Sequence, residues 1–418
     1  MDKFNINDLS SFEKGIDKKL SINGEKNREY QSYKFPITEL YYNDLNGRIA
    51  SYIEEYNDTH EDNVAILKET DLNSYNEKIS KFIIDSAADN GKSFKATSED
   101  IREKGQQVPG VILTDGRIID GNRRFTALRK LYDETGNPRF SYFEAVCLKA
   151  PDSNDKEGWK TIKSLELNLQ FNVDEKKGYN RIDELVSFYR DVMDPSTKMF
   201  DEKSYCFASG LTKSKFNNNI KVVTIMLEYL EWRGKPRAFY ILKKEKLDGP
   251  IEDIAKATTK MSEDEWNSKK DTIYQYMTIS DEGDRTRNIR ELLKSAKTEG
   301  KIYEKVRDML QSENVVNQVI DFMENIDKIS NSSDETAKRK KNKAELKNQL
   351  NIAYNDGKYL ETEKNANDEP SNILEKVLKM LNEIDKPSIR HLTDESKKDF
   401  AAKLDGIKLL IKELEDAQ

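Results

Sequence analysis

Two periods of apolar positions run along this chain, and the switch between them divides it. Residues Met1 to Tyr30 are polar, lack clear periodicity and are expected to form a flexible arm. Order is expected to begin near Tyr33-Lys34-Phe35-Pro36-Ile37. From Leu45 to Tyr56 the positions Ile49, Tyr52, Ile53 and Tyr56 have helical spacing. Tyr75 to Ala87 repeats it with Ile79, Phe82 and Ile83 on one face. Then the period shortens. Val108 to Leu113 reads as a short buried strand, Asp115-Gly116 as a hairpin turn, and Arg117-Ile118-Ile119 as the returning strand. Asp120-Gly121-Asn122 breaks that strand, and Arg123 to Tyr132 reads as a helix. Phe140 to Lys149 reads as one more strand. From Trp159 onward the patterns are almost all helical: Ile162 to Leu169, Ile182 to Met193, Ser204 to Ser209 and Thr212 to Trp232. The stretches Asn331 to Asp334, Lys338 to Lys343 and Asn355 to Ser371 read as solvated breaks or turns.

Composition sharpens this picture. The chain has 418 residues, enough for two or three domains. Its apolar fraction is 36% and its charged fraction 35%, against roughly 45–50% and ~25% in an average soluble domain. Smaller cores joined by charged helices fit better than one large core. The net charge of -7 speaks against indiscriminate nucleic-acid binding, so any DNA contact needs a local basic patch. Two cysteines, Cys147 and Cys206, build no disulfide framework. With only His60 and His391 beside them, a zinc site and a Ser-His triad are not expected. No apolar run approaches the ~20 residues of a membrane span, and MDKFNINDLSSFEKG has no apolar core of a signal peptide. An intracellular protein is expected.

The segment from Asp120 to Leu128, DGNRRFTAL, carries the clearest chemistry. A strand ends in a glycine turn and opens a helix with two arginines in its first turn. Amides at a helix start are unpaired and, with the dipole, favour an anion. Gly121 lets the backbone approach a phosphate closely. Arg123 and Arg124 add forked donors. Arginines there oppose the dipole, so helix stability does not account for them. The alternative is a turn whose arginines are merely solvated. The segment is neither a Walker A loop nor a G-x-G-x-x-G fingerprint.

The order strand, DG turn, strand, G-N-R-R-x-x-A, helix resembles the ParB/sulfiredoxin-like fold family. The family's G-x-R-R-x-x-A motif matches Gly121 to Ala127. Its N-P-R box is similar to Asn46-Gly47-Arg48, and its E-N-x-Q-R box to Leu167-Asn168-Leu169-Gln170-Phe171. The resemblance covers Tyr33 to Trp232. Together with the patterns on either side it implies an α+β chain: a small mixed α/β domain at 31–160 after an arm at 1–30, a helix-turn-helix domain at 161–248, and a charged helical C-terminal domain at 249–418. It further implies binding of CTP or another nucleoside triphosphate with magnesium. Gly121, Asn122, Arg123 and Arg124 would hold phosphates, Arg48 and Gln170 would line the pocket, and Asn168 would help ligate the metal. Leu167 stands where the family has its catalytic glutamate, and Phe171 where it has arginine, so the resemblance carries binding further than hydrolysis. Sulfiredoxin chemistry lacks its cysteine, because Asn122 stands beside the glycine.

Glu202 to Trp232 reads as a helix-turn-helix. Thr212 is a good N-cap, and Phe216, Ile220, Val223 and Leu227 form an apolar stripe. Thr212, Lys213, Ser214, Lys215, Asn217 and Asn218 form its early polar face, where a recognition helix reads bases. Arg233, Lys235, Arg237, Lys243, Lys244 and Lys246 are expected to form a flanking basic patch. The alternative is a helical hairpin inside a bundle. Apolar seams at Val315 to Met323, Leu374 to Leu381 and Leu404 to Ile411 serve either a bundle core or self-association.

The expectation is therefore a ParB-like, nucleotide-regulated protein of the cytoplasm, associated with nucleoid or plasmid. Its partners would be double-stranded DNA, a second copy as a homodimer, and a partner protein on the C-terminal helices, with no membrane. Two rivals share the core fold: a nucleotide-dependent nuclease or phage-defence enzyme, and a scaffold with a degenerate nucleotide pocket.

Overall fold

The computed structural model describes residue 6 and residues 8–22, 25–86, 91–152, 154–172, 180–280, 282–325 and 333–416. Along the chain these form β1 (Lys18–Ile22), β2 (Glu25–Tyr30), β3 (Ser32–Pro36), β4 (Tyr41–Tyr42), α1 (Ala50–Thr59), α2 (Val64–Thr70), α3 (Leu72–Asp85) and α4 (Lys92–Lys104). Then come β5 (Gly110–Leu113), β6 (Arg117–Asp120), α5 (Asn122–Thr135), β7 (Tyr142–Leu148) and α6 (Lys156–Asn172). The rest is helical: α7 (Arg181–Phe188) with a π-turn at Tyr189–Met193, α8 (Glu202–Ser209), α9 (Lys213–Trp232), α10 (Phe239–Lys244), α11 (Asp248–Thr258), α12 (Glu263–Ile279) and α13 (Arg285–Lys297). It ends with α14 (Lys301–Leu310), α15 (Glu313–Asn325), α16 (Ser333–Asn382), α17 (Lys386–Ile389) and α18 (Asp394–Asp416). The chain is an α+β protein, 69% helical, with a small mixed sheet.

The five-stranded sheet has the order β3-β7-β5-β6-β4. β3 with β7 and β5 with β6 run antiparallel; β5 with β7 and β4 with β6 run parallel. Side chains alternate across a strand, and here both faces are covered. Ile112, Ile118, Phe143 and Ala145 pack with α3, α4 and α5 through Ile79, Ile83, Ile101, Phe125 and Leu131. Val111, Leu113, Ile119 and Val146 face the other way, onto Ile162 and Leu165 of α6 and Leu20 of β1. Two-sided burial explains why these strands are short unbroken apolar runs.

The first thirty residues are not wholly the expected arm. β1 and β2 pair antiparallel, Lys18 opposite Tyr30, and Leu20 is 1% exposed against the sheet. Burying one leucine contributes roughly 1.5–3 kcal/mol, and the Lys18 ammonium adds an ion pair to Asp120 at 2.6 Å. The apolar signal in β1 was Leu20 and Ile22 alone, too sparse to read as a strand.

The helices from α6 to α16 share a second, larger core that also takes in Ala50 of α1. Phe188, Tyr205 and Phe216 meet edge to face at its centre. The expected breaks after Ser333 do not occur: α16 runs through Lys338–Lys343 and Asn355–Ser371. Asn331 and Ser332 lie outside the described residues. Lysine and glutamate are good helix formers when solvated, and Leu346, Leu350, Ala353 and Tyr354 give α16 a buried stripe. Gly357 fits because a Cβ there would lie 2.6 Å from the Ile302 Cα in α14. No helix among the described residues is long and apolar enough to cross a membrane.

Candidate functional site

The turn from β6 into α5 is built around Gly121. Its φ is +96°, and an added Cβ would lie 2.9 Å from the Phe143 ring. Glycine alone meets both demands. No side chain caps the helix that begins at Asn122, so its first amides are not claimed by a cap. Asp120 precedes the turn and receives Lys18 at 2.6 Å and Arg124 at 3.3 Å. Burial pushes its carboxyl up, but Lys18 and Arg124 outweigh this and hold it below the ordinary carboxylate value. Two polar atoms here are buried without a hydrogen-bond partner among the described residues: Asn122 Oδ1 and Arg124 Nε. Leaving such groups unpaired costs ~1–3 kcal/mol each.

These residues form one wall of a cleft of about 250 Å³. Asn46 and Arg48 enter from the turn before α1, where Asn46 Oδ1 accepts the Arg48 amide at 3.1 Å. Ile83 comes from α3 and Ser86 from the residue that ends it, and Ser93, Thr97, Asp100 and Ile101 come from α4. Gln107 and Val108 precede β5, and Glu166 and Leu169 project from α6. The lining thus joins three arginines and the start of α5 to the carboxylates Asp100, Asp120 and Glu166 and to apolar and hydroxyl side chains.

The structure brings together Arg48, Gly121, Asn122, Arg123 and Arg124. Asn168 is half-buried and does not line this cleft. The side chains of Gln170 and Phe171 lie outside the described residues. α6 also corrects the reading of the third box. Leu165 packs on the sheet and Leu167 into the helical core, at 2% and 1% exposure, while Glu166 turns to the cleft. A carboxylate therefore stands at the cleft although Leu167 occupies the position expected to carry one. Successive helix residues point ~100° apart, and the sequence did not show that α6 is covered on two sides. Lys18, Thr97, Asp100 and Gln107 were also missed. A lysine in a polar arm, polar residues on an amphipathic helix and a glutamine in the loop before a strand carry no distinguishing signal.

Glu166 is 3% exposed and lies 3.3 Å from the Lys163 ammonium, which also reaches Asp191 at 3.7 Å. Burial lowers the Lys163 proton affinity, but Asp191 and Glu166 outweigh it and raise it above the ordinary value. Burial pushes Asp191 up to about 6 against the pull of Lys163. On α1, burial pushes Glu54 up to about 7, although Arg190 lies 2.8 Å away.

The residues expected to form a helix-turn-helix fall as follows. Asp201 and Ser204 form a capping box for α8, and Gly210 ends it with φ +70°. Thr212 caps α9 by accepting the Lys215 amide at 3.3 Å. Phe216 is buried; Thr212, Lys213, Ser214, Lys215 and Asn217 are exposed, and Asn218 is half-buried. Lys213 pairs with Glu202 at 2.9 Å. The flanking basic patch is smaller than expected. Arg233 is buried against Glu245, and Lys243 points inward to Asp183 at 2.6 Å. Lys235, Arg237, Lys244 and Lys246 remain exposed.

Among the described residues no group of three or more His, Cys, Asp or Glu converges as a metal site. Burial pushes the Cys147 thiol up to about 12, so it offers little thiolate at neutral pH. No protein-family model matches the chain, and no curated protein matches it.

Proposed function

We propose that this is a ParB-like DNA-binding protein whose state is set by a nucleoside triphosphate, CTP by the family resemblance. The observation that carries the reading is the cleft itself. It joins Arg48, Arg123 and Arg124 to an uncapped helix start and to two unpartnered buried polar atoms. Phosphates would lie on the amides of α5 with the arginines around them. The nucleoside would extend toward Ile83, Ile101 and Val108.

Magnesium fits without a dedicated cage, because it needs only one or two protein oxygens beside phosphate oxygens. Glu166 and the Asn122 Oδ1 are the cleft oxygens that would serve. When bound, the ion would neutralise phosphate charge.

DNA is the proposed partner of the α9 face, through Thr212, Lys213, Ser214, Lys215, Asn217 and Asn218 at the start of the second helix of the motif. Self-association is proposed for the C-terminal helices. No residue of α18 is buried, and Leu404, Leu410, Ile411 and Leu414 are exposed on it. Sedimentation showing monomer alone at working concentration would remove that part. A nucleoid- or plasmid-associated place in the cytoplasm follows from the same reading.

DNA binding is tested by anisotropy titration with duplexes selected from a random pool. Lys213→Ala/Lys215→Ala is expected to weaken binding and lower the slope of log affinity against log salt by up to about 2. An unchanged affinity and slope would place the DNA contact elsewhere or nowhere.

A further inference from the structure

We infer that Lys163 is the residue through which occupancy of the cleft reaches the helix-turn-helix. The inference rests on the nucleotide reading and names its regulation. Lys163 does not line the cleft, yet it touches two segments that do or adjoin it. Its ammonium lies 3.3 Å from the Glu166 carboxylate and 3.4 Å from the Leu45 carbonyl, one residue before Asn46. Its third neighbour is Asp191 at 3.7 Å, on the π-turn of the helical body. Charged N–H···O bonds settle near 2.7–2.9 Å when committed (~2.8 Å as a guide). All three contacts here are longer, so the ammonium is shared between cleft and body. Asp191 Oδ2 is buried without a partner among the described residues, a place to which the ammonium can go.

Asp191 is wired onward. Its backbone carbonyl accepts the amides of Met199 and Phe200 at 3.0 and 3.1 Å. The Phe200 ring meets Tyr205 of α8 at 5.9 Å, and Tyr205 meets Phe216 of α9 at 6.0 Å. Lys160, one turn before Lys163, lies over the Phe200 ring. Every step from Glu166 to the motif is a named contact.

A triphosphate with its cation changes the field at Glu166. A cation beside the Glu166 carboxylate competes with Lys163 for it, and Lys163 then commits to Asp191. The two arrangements bind the ligand differently, which is the condition for coupling. Other charges facing Asp191 are Arg190 on its own turn, which is held by Glu54 of α1, and Glu166 from α6. Arg237 faces the neighbouring Asp194 at 3.7 Å.

Amide hydrogen exchange on the full chain tests this, with magnesium-CTP and magnesium-tripolyphosphate as probes. Wild type, Lys163→Met, Lys163→Arg and the isosteric Asp191→Asn are compared; Asp191→Asn carries the test where Lys163→Met fails to fold. In wild type, a probe that protects 121–124 is expected to change exchange across 189–209 by roughly threefold or more. Lys163→Met and Asp191→Asn are expected to keep the protection at 121–124 and lose the change at 189–209. Lys163→Arg is expected to restore part of it. Nucleotide-induced change in DNA affinity, ~5–150-fold for a typical coupled pair, should fall below twofold in the same two variants. Protection at 121–124 with 189–209 unaltered, or altered equally in all variants, overturns the role of Lys163 and leaves the cleft reading standing. No protection at 121–124 by either probe overturns the cleft reading and the inference with it.

Discussion

Gly121 is the residue on which the cleft depends most. At φ +96° beside Phe143 an alanine meets both a disfavoured backbone region and a ring. Gly121→Ala is expected to destabilise by ~1–3 kcal/mol and to weaken triphosphate binding, read by denaturant unfolding and calorimetry. Wild-type stability with wild-type binding would show that the turn tolerates a side chain. Glu54 gives the chain a pH signature. Burial raises its carboxyl from an ordinary 4.5 to about 7 in the folded protein. Between those values the folded state holds a proton that the unfolded state has lost, so stability falls as pH rises through that window. The fall is expected to be roughly 1–3 kcal/mol, and Glu54→Gln should reduce it in urea unfolding measured from pH 5 to 8, the buried Asp191 at about 6 keeping part of the slope. An equal slope in both proteins would mean the carboxylate is ionised throughout.

At the scale of elements, local chemistry decided what could be read. The run from β5 through Asp115-Gly116 to β6, Gly121 and α5 was legible because turn residues and apolar runs encode it within a few positions. α4 escaped because only Phe94 and Ile101 of its residues are buried. α6 was found, but not its rotation, because that depends on two covering surfaces distant in sequence. Its true rotation brings Glu166 to the cleft, where a carboxylate can orient or activate water. If the protein hydrolyses its nucleotide, Glu166→Gln should still bind it, more weakly by the loss of one charged contact to the cation. Its turnover should drop on the order of a hundredfold or more, measured by phosphate release. Equal turnover in the variant would remove Glu166 from any such role.

At the scale of the whole molecule, the sheet and helical body meet along α1, α6 and α7, where Ser51 and Lys243 hold the buried Asp183. Such buried pairs across an interface are invisible in a sequence, since each lysine reads as a solvated charge until its partner is known. The same ignorance made Arg233 and Lys243 look like a DNA-facing patch. The C-terminal helices were legible as helices but not in extent, because charge density marks solvent rather than chain breaks. What unites these parts is the claim that a triphosphate occupies the cleft. Calorimetric titration of CTP, ATP, GTP and UTP with magnesium tests it, on wild type and on Arg123→Ala/Arg124→Ala. The account predicts that CTP binds best and that the double variant loses roughly a hundredfold or more in affinity, as expected for two charged hydrogen-bonding groups. Absence of binding by all four nucleotides, with and without DNA, or equal binding by the double variant, would contradict it.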